Sequence, residues 1–532
     1  MYRLLFLVAA LVQLSAEPLQ GILLLNTKSD LRLEPDPACG TQAPNVPFFQ
    51  KHQGYLKELD ESFLNREITP ELLQEIKAKL FSFYRKEQQP LVIITVPKQT
   101  YAGEIAQIVI QEGKIGEIRC KGNKNFTGTE LMKYIRTKPG DVLNWDHFIE
   151  DLAFMNESPF RRTDAVLVPG KKPGLIDVDL VTVDRWPYRV YVGADNTGTP
   201  ETMRNRLFFG LNLGKTIIPD SEVSYQYTMS PNSNKFIAHT GLFRIPLPWK
   251  HTFQGYGGYT RVRPSTGVRD EREKGVSWQV SGRYRIPLFE DLTMLQEVVV
   301  GYDYKEAINT TTHVNPSHGV ADINQFMVGY EMGLKWPSLR LSLNLELFGS
   351  PSGITNHDDT KSYRYFRKDA RATYVYGRMA HSLAYFFTSG WRLSYDLTGQ
   401  LASQNLLPSE QFLMTGYNAI RGFDERALSL DNAAILNVSL ETPHVSPAKF
   451  FGWKKRRDEL YALVFFDAGV GRNHHVSKGE HSNQSLGSAG PGLRYQVSHF
   501  LSGRLDYGIQ IWHSGFQVST VSRYDFGLIL SY

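Results

Sequence analysis

The sequence predicts a transmembrane antiparallel β-barrel of sixteen strands, preceded by two small α+β domains. Three observations carry that prediction: an N-terminal export segment with no later run able to cross a bilayer as a helix, period-two alternation from Tyr188 onward, and a last strand ending on the aromatic Tyr532. A length of 532 residues suits two or three domains. The 27 Tyr, 30 Phe and 44 Gly suit many strands joined by turns. The net charge of +5 is small and the Lys and Arg residues are spread, so nucleic acid is excluded as an expected partner.

Residues 1–16 read as a secretory signal peptide. Arg3 gives the positive start, Leu4 to Val12 the apolar core and Ser15-Ala16 the small-residue end, although Leu14 is large for its position. The longest later apolar run, Leu460 to Phe466, falls far short of the ~20 residues a membrane helix needs. Cys39 and Cys120 form neither a disulfide framework nor a metal site, and spacing leaves their pairing open.

Residues 17–185 mix helical and strand periods and repeat at an offset of 72, which predicts two modules, 17–113 and 114–185. Leu73, Ile76, Leu80 and Phe83 form one helical stripe; Trp145, Phe148, Leu152 and Met155 form its counterpart. Ile94-Thr95-Val96-Pro97 recurs as Val166-Leu167-Val168-Pro169, and Ile108-Val109 as Leu180-Val181. Thr69, Thr129 and Asn144 are the expected helix caps, with Thr129 opening a helix through Ile135. With strands at Gln20 to Leu25 and Ile115 to Lys121, each module reads β-α-α-β-β. Its exposed sheet edges could take a strand from an extended polypeptide or serve only as a spacer.

Residues 186–532 read as the barrel. Leu207, Phe209, Leu211 and Leu213 alternate with Arg206, Gly210 and Asn212, one face apolar and the other wet or small. Strand candidates fall at 188–195, 204–213, 221–228, 236–243, 252–262, 276–285, 297–304, 326–334, 338–348, 370–387, 391–403, 433–441, 460–469, 489–497, 503–511 and 524–532, and no amphipathic helix is expected among them. An open edge in lipid would leave amides unsatisfied at several kcal/mol each, so the strands must close. In the last strand Tyr524, Phe526, Leu528, Leu530 and Tyr532 share one face, the pattern of a C-terminal assembly signal.

The segment 405–431 is too long for a turn, and its Gly416, Gly422, Phe412, Tyr417 and Phe423 argue for packed structure. Within it Ala419-Ile420-Arg421-Gly422-Phe423, after Ser409-Glu410-Gln411-Phe412, resembles the loop motif of the two-partner secretion transporters. These are the haemolysin secretion and activation group of the barrel-assembly superfamily. Val464-Phe465-Phe466-Asp467-Ala468-Gly469 resembles that family's second motif, on a downstream strand. The front modules are similar to POTRA domains, and Gln111-Glu112-Gly113-Lys114-Ile115-Gly116-Glu117-Ile118 to the junction between them. The resemblance covers nearly the whole mature chain, and the two motifs together, in this order, are specific.

The resemblance implies an outer-membrane transporter with periplasmic POTRA domains that capture an extended secreted polypeptide. It implies that 405–431 folds back into the barrel, with Ile420, Arg421, Gly422 and Phe423 at its tip. Asp467, flanked by Phe465 and Gly469, would hold Arg421. Insertion by the barrel-assembly machinery into outer-membrane lipid, a monomeric state and no cofactor are further expectations. One departure stands out: some members begin with a plug helix, whereas here the mature chain enters its first strand almost at once. The loop is therefore the only expected obstruction. An assembly factor inserting other barrels is the alternative, though it would carry more front modules; a passive pore would need neither front modules nor paired motifs.

No catalytic constellation emerges, so no enzyme is expected. His474, His475 and His481 read as a solvated loop rather than a metal site, and Lys454-Lys455-Arg456-Arg457 as a periplasmic turn near headgroups.

Overall fold

A computed structural model describes residues 18–33, 35, 40–89, 91–99, 101, 104–172, 174–216, 218, 220–265, 272–290, 293–312, 317–450, 452, 458–476, 481–518 and 520–532. The expected signal peptide, Cys39 and the Lys454 to Arg457 run lie outside them. The chain divides into two units, residues up to Asn156 with Arg162–Asp184, and Glu157–Arg161 with Arg185–Tyr532.

The first unit holds two sheets. One runs Gly40–Gln42, Gly21–Leu25, Ile105–Glu112, Val92–Thr95, with Gly21–Leu25 parallel to both neighbours. The other runs Lys114–Lys121, Leu175–Asp184, Arg161–Pro169. The repeated stripes become helices Pro70–Lys86 and Trp145–Met155, which bury Ile76, Leu80 and Phe83 in the first and Phe148, Leu152 and Met155 in the second. Their caps are Thr69, which accepts from Leu72 N, and Asn144, which accepts from His147 N.

Two expectations change here. The helix expected to be capped by Thr129 is capped two residues earlier, by Thr127 in a reciprocal box with Glu130, and starts at Gly128; Thr129 lies inside it. It stops at Met132 rather than Ile135, and Arg136 N is already bound to the buried Asp151 carboxylate at 2.8 Å. The first copy is also richer than β-α-α-β-β, with the extra short strand Gly40–Gln42 and three α-helices, Pro47–Lys51, Gly54–Phe63 and Pro70–Lys86, where two were expected. Three residues opened by a glycine at φ +102° carry no periodic signal.

The second unit is a closed antiparallel barrel of sixteen strands, from Tyr188–Asp195 to Ser522–Ser531. Those two close the ring through Tyr191↔Ser531 to Asp195↔Gly527, and Val190 and Tyr532 exchange backbone hydrogen bonds beside them. Strands such as Arg272–Glu290, Met294–Thr312 and Ser317–Lys335 run longer than the expected 276–285, 297–304 and 326–334. Their outer ends carry charged and polar residues, which period-two hydrophobicity does not register.

Tight connections such as 336–338 and 498–500 mark the periplasmic rim, and the long segments 351–373 and 403–431 mark the outer one. Trp249, Trp336, Trp391 and Phe500 are exposed at the periplasmic turns, an aromatic girdle at headgroup depth. Val328, Leu347, Val464, Val470, Ile511 and Leu530 point outward with half or more of their surface free, as lipid contact requires. Inward positions on strands Arg272–Glu290 and Met294–Thr312 carry paired charges. Arg285 Nε donates to Glu297 at 3.0 Å, and Arg283 lies 2.7 Å from Asp303.

Among the described residues two α-helices interrupt the barrel, Thr360–Phe366 and Pro447–Phe450, against the expectation of none. They span seven and four residues, too short for helical periodicity to register. The strand expected from 370 begins at Tyr374. Ala370 and Ala372 belong instead to a packed segment described below.

Candidate functional site: a hairpin held inside the barrel

Between strands Arg392–Ala402 and Asn432–Glu441 the chain turns into the lumen. Phe412–Leu413 pairs with Ser429–Leu430 as a short stalk, and Met414 N donates to Leu428 O. Above the stalk, Ile420 N donates to Met414 O, and Gly416 N to Ile420 O. Gly416 at φ +124° and Gly422 at φ +86° make the reversals that an L side chain would strain. Met414, Ile420, Phe423, Leu428 and Leu430 then pack on Ala433, Ile435 and Leu486 of the wall.

The tip presents Arg421 to the strand Asp458–Arg472. Arg421 Nε and Nη2 donate to the two Asp467 oxygens at 2.8 and 2.7 Å, and Arg421 N also donates to Asp467 Oδ2 at 3.1 Å. Asp467 is fully buried. The guanidinium sits 3.6 Å over the centre of the Phe465 ring, so one face is covered while its edge is paired. Gly469 leaves room on the same strand: a Cβ there would lie 2.6 Å from Ile420 Cδ1 and 2.7 Å from Met414 Cε. The structure thus brings Ile420, Arg421, Gly422, Phe423, Phe465, Asp467 and Gly469 into one contact region. Tyr524, Phe526, Leu528, Leu530 and Tyr532 sit elsewhere, Tyr524, Leu528, Leu530 and Tyr532 exposed on the outer face of the closing strand or at its end.

Several participants carry no motif. Asp506, buried on strand Leu501–Ser514, lies 3.6 Å from Arg421 Nη1 and is held by Arg494 and Arg504. Arg504 also donates to Tyr417 O at 2.8 Å and stacks 3.7 Å over its ring. Gln510 Nε2 donates to Gly422 O at 2.8 Å. Between them Gly508 meets Gly422 backbone to backbone: a Cβ on Gly508 would lie 2.5 Å from Gly422 N. Their shared signal was parity, since Asp506, Gly508 and Gln510 occupy every second position between the outward Leu505, Tyr507, Ile509 and Ile511. Arg523 extends the set, donating to Asn196 O and to Phe423 O.

The hairpin is not the sole obstruction. Residues 351–373 also fold inward, and Tyr363, Ala370 and Ala372 are buried with Leu406 and Leu407 against Val299, Ile323, Met327, Phe348 and Tyr376. The sequence hid this segment because its apolar residues are too few and irregular to stand out. His474 and His475 are structural at their backbone, donating through N–H to Asp431 and Asn405. Among the described residues no cluster of three His, Cys, Asp or Glu is arranged to hold a metal ion.

A sealed barrel whose own extracellular hairpin is locked to its inner wall defines an occluded outer-membrane barrel rather than an open diffusion pore. The chain belongs to the haemolysin secretion/activation protein family ShlB/FhaC/HecB, whose profile matches residues 174–495. It is 20% identical over 453 residues to the heme/hemopexin transporter protein HuxB of Haemophilus influenzae (strain 86-028NP), covering 83% of this chain and 77% of that protein. In fold it is similar to CdiB from Escherichia coli, at TM-score 0.76 and 15% identity over 99% of this chain and 93% of that one. Likeness to BamA from Haemophilus ducreyi is lower, at TM-score 0.50 and 12% identity over 92% and 98%. The matching family model and the curated relative are of the secretion branch, not of the assembly factor.

Proposed function

We propose that this chain secretes a partner polypeptide across the outer membrane through its barrel, with the 405–431 hairpin as the gate. The observation that carries the reading is the buried Arg421–Asp467 pair inside a closed sixteen-strand wall. A lumen this wide is not filled by wall side chains alone, so its hairpin decides whether anything passes. Residues 1–16 direct export, 17–113 and 114–185 are the periplasmic POTRA domains, and 186–532 is the barrel. The open edges Val92–Thr95 and Arg161–Pro169 offer backbone groups to an extended substrate, which strand addition would hold without demanding one sequence.

No bond is made or broken in this scheme. The chain acts as a conduit and not as an enzyme, works as a monomer without a cofactor, and draws its driving force from substrate folding outside. The strand Ser522–Ser531 presents its aromatic and apolar row to the barrel-assembly machinery during insertion, and to lipid afterwards.

The test is a host deleted for this gene and complemented with the parent chain or with Arg421→Ala. The parent restores a large polypeptide to the medium or cell surface; the variant inserts normally, judged by heat-modifiable migration, but secretes less. Full secretion by Arg421→Ala would remove the hairpin from the mechanism. A general fall of outer-membrane proteins on deletion would point instead to barrel assembly.

A further inference from the structure

Among the described residues, the hairpin and the segment 351–373 both turn into the lumen, and they are joined to each other as well as to the wall. Asp431, at the root of the hairpin, is fully buried. Both terminal guanidinium nitrogens of Arg367, from the neighbouring segment 351–373, donate to it, with Nη2 to Oδ2 at 2.9 Å. Arg367 Nη1 donates as well to Leu406 O at 2.7 Å, and Leu406 N donates to Asp431 Oδ1 at 3.0 Å. A few residues away Asn405, itself buried, donates to Lys368 O. Tyr363 anchors the far side, its hydroxyl donating to Asp322 O on the wall at 2.9 Å. The hairpin reaches the same wall region through Glu410, bound by Lys305 at 2.8 and 2.9 Å and by the Tyr376 hydroxyl at 2.8 Å.

Resting on the gating role proposed for the hairpin, we infer that residues 351–373 are the second half of a single plug, keyed to the first half by Arg367 and Asp431. The physical reason is desolvation. If the hairpin alone withdrew, Arg367 would lose its carboxylate and Tyr363, Ala370 and Ala372 would lose the apolar cover of Leu406 and Leu407. Moving as one body keeps that ion pair and that small core intact. Arg367 is then a positioning residue for transport, acting through Asp431.

Conductance of the purified full chain in planar bilayers bathed in KCl tests this without knowledge of the substrate. The background is Cys39→Ser with Cys120→Ser. Gly319→Cys with Tyr365→Cys then ties 351–373 to the wall: a Cβ on Gly319 would lie 2.0 Å from Tyr365 Cδ1, so the two Cβ positions fall within disulfide reach. Arg421→Ala is expected to raise open occupancy by at least about tenfold, and Arg367→Ala to match it within about threefold. Closing the disulfide in the Arg421→Ala chain should abolish the increase, and dithiothreitol should restore it. If Arg421→Ala opens the barrel and the closed disulfide leaves it open, the two-part plug is refuted while the hairpin gate stands. If Arg421→Ala opens nothing, the gate itself is refuted and the plug with it. Heat-modifiable migration confirms a folded barrel in each variant.

Discussion

Removing the Arg421 side chain tests how firmly the hairpin is docked. The two side-chain bonds to Asp467, at 2.8 and 2.7 Å, are charge-assisted. Such bonds contribute about 1.5–3 kcal/mol each. Stranding one member of a buried pair costs about 3–5 kcal/mol, a similar figure reached from the other side. The Arg421 side chain keeps 10% of its surface exposed, so the lower end applies. A loss of about 3 kcal/mol raises the undocked population roughly 150-fold. The assay places Thr415→Cys at a buried position of the hairpin, just above its stalk, in a Cys39→Ser, Cys120→Ser background, and follows labelling by a membrane-impermeant maleimide on whole cells. While redocking outpaces labelling, the rate follows the undocked population and should rise by about that factor in Arg421→Ala. Arg421→Lys, which keeps the charge but not the paired fork, should fall between. Labelling within about threefold of the parent would show that the pair does not hold the hairpin and would refute the energetic argument.

Gly508→Ala should loosen the same hairpin without touching a charge, because the added methyl would sit 2.5 Å from Gly422 N; the same labelling assay should show faster reaction. Val464→Arg, on the lipid face in the middle of its strand, should lower folding stability by about 2–4 kcal/mol, read as earlier loss of heat-modifiable migration in urea. In the periplasmic unit, burial alone would raise the Asp184 carboxyl, but backbone N–H donors from Lys124, Asn125 and Phe126 outweigh it and hold it below the ordinary carboxylate range. A depressed folded value means that its stabilisation is present above the unfolded carboxylate pKa of about 3.9, and is lost as pH falls through the folded value. Asp184→Asn should therefore speed hydrogen exchange at residues 123–127 at neutral pH and leave little difference from the parent in strong acid.

Much of this protein is written in short-range pattern. Alternation located all sixteen strands because each barrel position has one of two environments, lipid or lumen, and a period of two maps directly onto that choice. The offset of 72 located the paired helices Pro70–Lys86 and Trp145–Met155 for the same kind of reason: Ile76 and Phe148 are buried and must be apolar. Arg421 and Asp467 stood out through a family pattern, which spacing alone would not have supplied.

What lies in the lumen was decided only when the wall closed. Asp506, Gly508 and Gln510 are unremarkable inward residues until the tip of the hairpin arrives beside them, 86 positions earlier in the chain for Gly422 against Gly508. Arg367 and Asp431 are 64 residues apart on different segments. Nothing in the run from 351 to 373 announces that Tyr363 will be buried. Sequence determines which face of each strand meets lipid because burial there depends on one residue and its solvent. Pairing across the lumen depends on the distance between two backbones, and that distance exists only after the ring has formed.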